Sequence, residues 1–195
     1  IILSALLVAS GQLLAADAVT DIGDRLEIFV DRTLIDTMDG ATLTLGQPRP
    51  EEISLTFDHP WESSFSAAYM TVIKDDGTYR LYYRGGSKTD TGMIKAGTEV
   101  TCYAESRDGK TWVKPKLGLV EFEGSTANNI ILGPTKLRSS CNFTAMLDNR
   151  PGVPAAERYK GVGSGSGREE GIIRFVSPDG IHWKKMKDTP VIRCL

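Results

Sequence analysis

The sequence predicts an all-β fold built from a repeated antiparallel module. Three observations predict it: a nine-residue stretch that recurs, the same order of short β-branched and aromatic runs ahead of each copy, and 20 glycines and 9 prolines spread along 195 residues. The recurring stretches are Ser106-Arg107-Asp108-Gly109-Lys110-Thr111-Trp112-Val113-Lys114 and Ser177-Pro178-Asp179-Gly180-Ile181-His182-Trp183-Lys184-Lys185. They share the pattern Ser-x-Asp-Gly-x-x-Trp-x-Lys, 71 residues apart. Turn chemistry accounts for the pattern, since Gly accepts a left-handed backbone and an Asp carboxylate accepts amides across a turn. The Trp then starts the next strand.

Taken in order, the chain opens on the apolar run Ile1–Ala9, too short to span a bilayer, followed by small residues around Leu14-Ala15-Ala16. Ala16-Asp17-Ala18 fits a cleavage pattern, with Leu14-Ala15-Ala16 as the alternative, so residues 1–18 are expected to be a signal peptide lacking its charged n-region. A secreted or periplasmic chain without a membrane span in its mature part follows from that. Residues 19–60 read as a lead-in strand (Leu26-Glu27-Ile28-Phe29-Val30) and a loop that closes or covers the rest, punctuated by Pro48, Pro50 and Pro60.

Residues 61–195 then carry two copies of the module. In the first, Tyr69–Lys74, the turn Asp75-Asp76-Gly77, Tyr79–Arg84 and Glu99–Ala104 precede the Asp-Gly turn; in the second, Asn142–Leu147, Arg158–Val162 and Gly171–Val176 do. Strand, turn, strand, loop, strand, Asp-Gly turn and Trp strand make a four-stranded antiparallel meander. A meander repeated at a period in the tens of residues predicts β-propeller blades. Two blades do not close a ring, which needs about four to eight, so the domain is expected to be incomplete at its C-terminus.

Composition narrows the function classes. A net charge of -2 and a pI near 5.8 give no basic field for phosphates, which argues against nucleic acid. Three cysteines (Cys102, Cys141, Cys194) are an odd number and read as buried small residues. His59 and His182 lack ligand company for zinc, Gly163-Ser164-Gly165-Ser166-Gly167 lacks the Lys-Ser/Thr ending of a phosphate loop and reads as a hairpin loop, and no Gly-x-Ser-x-Gly elbow is present. No metal or cofactor is expected.

Leu26–Asp31, Phe57-Asp58-His59-Pro60-Trp61-Glu62, Tyr79–Gly85, Val100–Ser106, Leu117–Phe122, Asn128-Asn129-Ile130 and the second Asp-Gly-Trp turn together resemble secreted bacterial proteins related to the five-bladed propeller glycoside hydrolases of families 32 and 43. The resemblance covers about residues 26–195. It implies a glycosidase acting on a poly- or oligosaccharide in a central funnel, where paired carboxylates from different blades work a few ångströms apart. The strand starts that carry acids in such relatives read Ser66–Tyr69 and Arg138–Asn142 here, without an acid. The candidate catalytic carboxylates are therefore Glu62 and Asp58 on the entering loop.

Trp61 beside Glu62 offers an aromatic face to a sugar ring next to a carboxylate, whereas the bland reading makes Trp61 a core plug and Glu62 a solvated residue. Arg138, Asn142 and Tyr69 are candidate substrate contacts at the strand starts, although a strand-start Asn is often a turn former. Asp108 and Asp179 read as structural. Two other classes stay open: a non-catalytic carbohydrate-binding or scaffolding propeller, and a sialidase-like enzyme with Arg84 and Arg138 as the arginines facing a substrate carboxylate.

Overall fold

A computed structural model describes residues 19–135, 140–165, 171–187 and 189–193; the expected signal peptide, Arg138 and Cys194 lie outside them. The chain divides into two compact units, Ile1–Glu51 and Glu52–Leu195. Among the described residues of the first unit there are turns but no strand. The expected lead-in strand at Leu26–Val30 is instead exposed irregular chain, with Leu26 100% accessible. A strand needs partners for its N–H and C=O groups, and the backbone bonds here are local, Val30 N–H to Ile28 O and Ile35 N–H to Arg32 O.

The second unit is all-β. Its first antiparallel sheet takes β1 (Thr71–Asp75), β2 (Thr78–Gly85), β3 (Val100–Ser106) and β4 (Ile130–Leu132) in that order. The second sheet orders β5 (Cys141–Leu147), β6 (Tyr159–Gly165), β7 (Gly171–Ser177) and β8 (Lys184–Lys185), with β9 (Ile192–Arg193) also on β7. Asp76 and Gly77, both at positive φ, form the two-residue turn from β1 to β2.

The two sheets are copies at the level of register. Tyr79 pairs with Ser106 as Tyr159 pairs with Ser177, and Thr71 pairs with Tyr82 as Thr144 pairs with Val162. The Ser-x-Asp-Gly turns carry one hydrogen-bond pattern. Ser106 Oγ accepts the Asp108 and Gly109 amides, and Asp108 Oδ1 accepts those of Lys110 and Thr111. Ser177 and Asp179 repeat every one of these bonds with Asp179, Gly180, Ile181 and His182.

The expected Trp strand needs correction. After Trp112 only Val113 pairs back, to Glu105, and the chain returns later as β4; after Trp183, β8 pairs Lys184 with Val176 and the chain returns as β9. The outermost strand of each module is thus split. Pro115, two residues beyond Val113, has no N–H for the ladder and prevents a longer first piece. Gly163-Ser164-Gly165, read as a hairpin loop, belongs to β6.

Alternation along β2 feeds both faces of the first sheet. Tyr82, with Ile73 and Tyr103, packs against Phe143, Tyr159, Ile173 and Phe175 of the second sheet, and Trp183 caps this layer edge-on to Phe143 at 4.9 Å. Leu81 and Tyr83, with Val100, Cys102 and Ile130, form the opposite layer, covered by Leu55, Phe57, Trp61 and Trp112. Cys102 and Cys141 are buried free thiols.

Candidate functional site

The loop carrying Asp58, Trp61 and Glu62 is pinned to the outer face of the first sheet. Phe57 packs on Tyr83 at 5.2 Å, and a one-turn reversal bonds Glu62 N–H to His59 O (3.0 Å) while His59 N–H donates to Glu62 Oε2 (3.0 Å). Glu62 is wholly buried (0%), so its carboxylate must find its partners inside the protein. It does: Tyr83 donates to Oε1 at 2.5 Å, and Lys114 Nζ reaches Oε2 at 2.7 Å. Lys114 also donates to Asp58 Oδ1 (3.1 Å) and Thr56 O (2.5 Å), which ties the rim of the loop to its interior.

Asn129 completes the cluster. Its Nδ2 donates to the Tyr83 hydroxyl (2.6 Å) and to Tyr103 O (2.6 Å), and its Oδ1 accepts Trp61 Nε1–H (2.8 Å). The Trp61 ring stacks on His59 at 4.8 Å, and its carbonyl accepts Gly86 N–H at 2.9 Å. Glycine is required beside it, since a Cβ on Gly85 would lie 2.7 Å from both Trp61 O and Cys102 Sγ. Burial, reinforced by Cys102 and Glu62, pushes the Tyr83 hydroxyl far above its ordinary range, so it stays a donor to the carboxylate. Burial, then Glu62, likewise raises the Cys102 thiol.

The structure therefore brings Trp61, Glu62 and Asp58 together through two residues the sequence reading missed, Lys114 and Asn129. A signal for each was available: Lys114 ends the first repeat, and Asn129 lies in the Asn128-Asn129-Ile130 stretch. Chemically the cluster is a neutralised clamp, with both Glu62 oxygens engaged and neither facing solvent. Asp58 differs. Its side chain is 68% exposed, and the Lys114 ammonium holds its carboxyl below the usual carboxylate range, leaving an ionised oxygen at the rim beside the Trp61–His59 stack.

Tyr69 and Asn142 occupy equivalent places, each two residues before a ladder threonine (Thr71 opposite Tyr82, Thr144 opposite Val162), although β5 already pairs Cys141 with Ser164 and holds Asn142 in the register shift between. Both have left-handed backbones, φ 56° and φ 52°, unusual for non-glycine residues. Tyr69 is exposed, and Asn142 Oδ1 accepts the Cys141 thiol at 3.5 Å. At the end of β2 that faces Tyr69 by continued register, the Nε of Arg84 is the one buried side-chain nitrogen or oxygen without a hydrogen-bond partner among the described residues. An unmade bond of this kind costs about 1–3 kcal/mol.

A second polar cluster closes the far end of the seam between the sheets. Arg80 donates to the Tyr103 hydroxyl (2.7 Å) and the Tyr159 hydroxyl (3.1 Å), while Asp75 accepts Arg158 (2.7 Å) and Tyr159. Burial alone would raise the Asp75 carboxyl, but Arg158 and Tyr159 together hold it below the usual range. Among the described residues no helix is long and apolar enough to cross a membrane. No family model, curated protein or solved structure matches the chain.

Proposed function

We propose that the second unit is a pair of neighbouring blades of a five-bladed β-propeller, of the kind found in glycoside hydrolases of families 32 and 43, and that the exported protein binds carbohydrate at the inner starts of β1 and β5. The observation that carries this reading is the equivalence of the two sheets in register, turn chemistry and split outer strand, with one face of the first laid on the second. Successive identical modules packed face to face are how a propeller wall is built. Binding is favoured by an exposed Tyr69 ahead of β1, the Asn142 amide in the first residues of β5 and the Arg84 guanidinium at the end of β2.

Hydrolysis is the second reading, favoured by Asp58, an exposed ionised carboxylate next to an aromatic pair. It would serve as nucleophile or base, with the acid contributed by another blade across the few ångströms such chemistry needs. Glu62 is better suited to holding the loop than to proton transfer, because releasing it would leave Lys114 and Tyr83 without their shared partner. Incubating the full-length protein with a panel of polysaccharides separates the readings. Retention on an immobilised saccharide without new reducing ends is the binding outcome; reducing ends that vanish in Asp58→Asn at unchanged melting temperature are the hydrolytic one. A protein that neither retains nor cleaves any member of the panel rules out both.

A further inference from the structure

We propose that Arg84 is the anchor for the oxyanion of an acidic saccharide, a sugar carboxylate or a sulfate ester, at the strand-start end of the seam between the two sheets. The inference rests on the carbohydrate reading and names the ligand class for the same site.

Strand alternation puts Arg84 on the face of β2 that carries Arg80 and Tyr82, the face turned to the second sheet. Its partner across β3 is Thr101, and Thr101 Oγ1 donates to Ser140 O at 2.9 Å, which places this point of the seam against the start of β5. The Thr101 hydroxyl proton is therefore taken. Continuing the β1–β2 register would set Tyr69 opposite Arg84, but the left-handed backbone of Tyr69 ends the ladder at Thr71 and leaves Arg84 unopposed on that side.

The other arginines at the seam have protein partners, Arg80 two tyrosine hydroxyls and Arg158 the Asp75 carboxylate. The residue matching Arg84 in the second module, Ser164, is also satisfied, donating to Cys141 O at 3.1 Å. The first module thus replaces a self-satisfied serine by a guanidinium whose Nε–H is shielded from water and unmatched. A guanidinium fork answers a planar carboxylate or a sulfate through two parallel bonds; the half-buried Arg84 would make them with its terminal nitrogens, while its inner Nε–H lies unmatched in the protein. Tyr69, exposed and across from Arg84 by continuation of the β1–β2 register, offers a ring face for the rest of the sugar.

The test measures binding of the full chain to three oligosaccharide sets of matched length: oligogalacturonates, sulfated galactan oligomers and neutral galactan oligomers. At least one acidic set is expected to bind about tenfold or more tighter than the neutral one, with an affinity that falls as salt rises. The two acidic arms tell carboxylate from sulfate. Arg84→Gln and Arg84→Ala should bring the acidic-to-neutral ratio to near one, and Arg84→Lys, which keeps charge but not the fork, should leave an intermediate ratio. Melting temperatures at or above the parent are expected for Gln and Ala, because they delete an unmatched buried donor. A parent that binds neutral oligomers as well as acidic ones, or variants that keep the parent's ratio, overturns the assignment of Arg84 while leaving the carbohydrate reading in place. Failure to bind any of the three sets overturns both.

Discussion

Lys114 and Glu62 form a buried ion pair whose two ends are unequal. Lys114 has Asp58 and Thr56 O as further acceptors, whereas Glu62 has Lys114 as its cationic partner, with the Tyr83 hydroxyl and the His59 amide as neutral donors. Lys114→Met should therefore cost more than Glu62→Gln, about 3–5 kcal/mol against a smaller loss, because it strands a buried carboxylate. Urea denaturation of the two variants checks the order, and equal midpoints would contradict it. Gly161 offers a steric counterpart. Its missing side chain makes room for the Phe143 ring, and a Cβ there would also lie 3.1 Å from Trp183. Gly161→Ala should lower stability by about 1–3 kcal/mol through overpacking, read from the same denaturation curves.

At the scale of elements, the repeated turn is held by a buried serine as well as by its Asp and Gly. Ser106 and Ser177 each take two amides of the turn and donate to its Asp. Ser106→Ala and Ser177→Ala should each lose about 1–2 kcal/mol, and the double variant should lose their sum, since the turns share no partner. Both turns were legible in the sequence because their chemistry is local: the residues that need hydrogen bonds and those that supply them lie within a few positions. The strands β1, β2, β3, β5 and β7 were legible for a similar reason, through β-branched and aromatic runs. The lead-in strand at Leu26–Val30 was misread because an apolar run does not reveal whether another strand lies beside it. The split outer strands escaped because Ile130–Leu132 and Ile192–Arg193 are too short to carry a pattern. Trp61 and Glu62 were found as a pair by residue type, but their partners Lys114 and Asn129 sit 52 and 68 positions away, a separation only the folded chain closes.

For the molecule as a whole, charge holds the sheets in their places and sets a lower pH limit. Besides Asp58, four carboxylates of the second unit lie below their ordinary range. The Thr111 and Lys110 amides hold Asp108 down, the cations of Arg150 and Lys160 hold Asp148 down, and Asp75 and Asp179 are lowered by their hydrogen bonds despite burial. A carboxyl whose folded value is depressed binds protons more readily when unfolded. Its contribution is therefore complete above the unfolded value of about 4 and is lost as pH falls below it. Melting followed by circular dichroism should give similar midpoints at pH 7 and pH 5 and a clear fall at pH 3; a midpoint unchanged down to pH 3 would refute the assignment. The matched turns carry one more implication. Since the serine and aspartate bonds of Ser106–Thr111 and Ser177–His182 are the same in both turns, either segment can serve at either place, and a chimaera with the two transposed should still form both sheets.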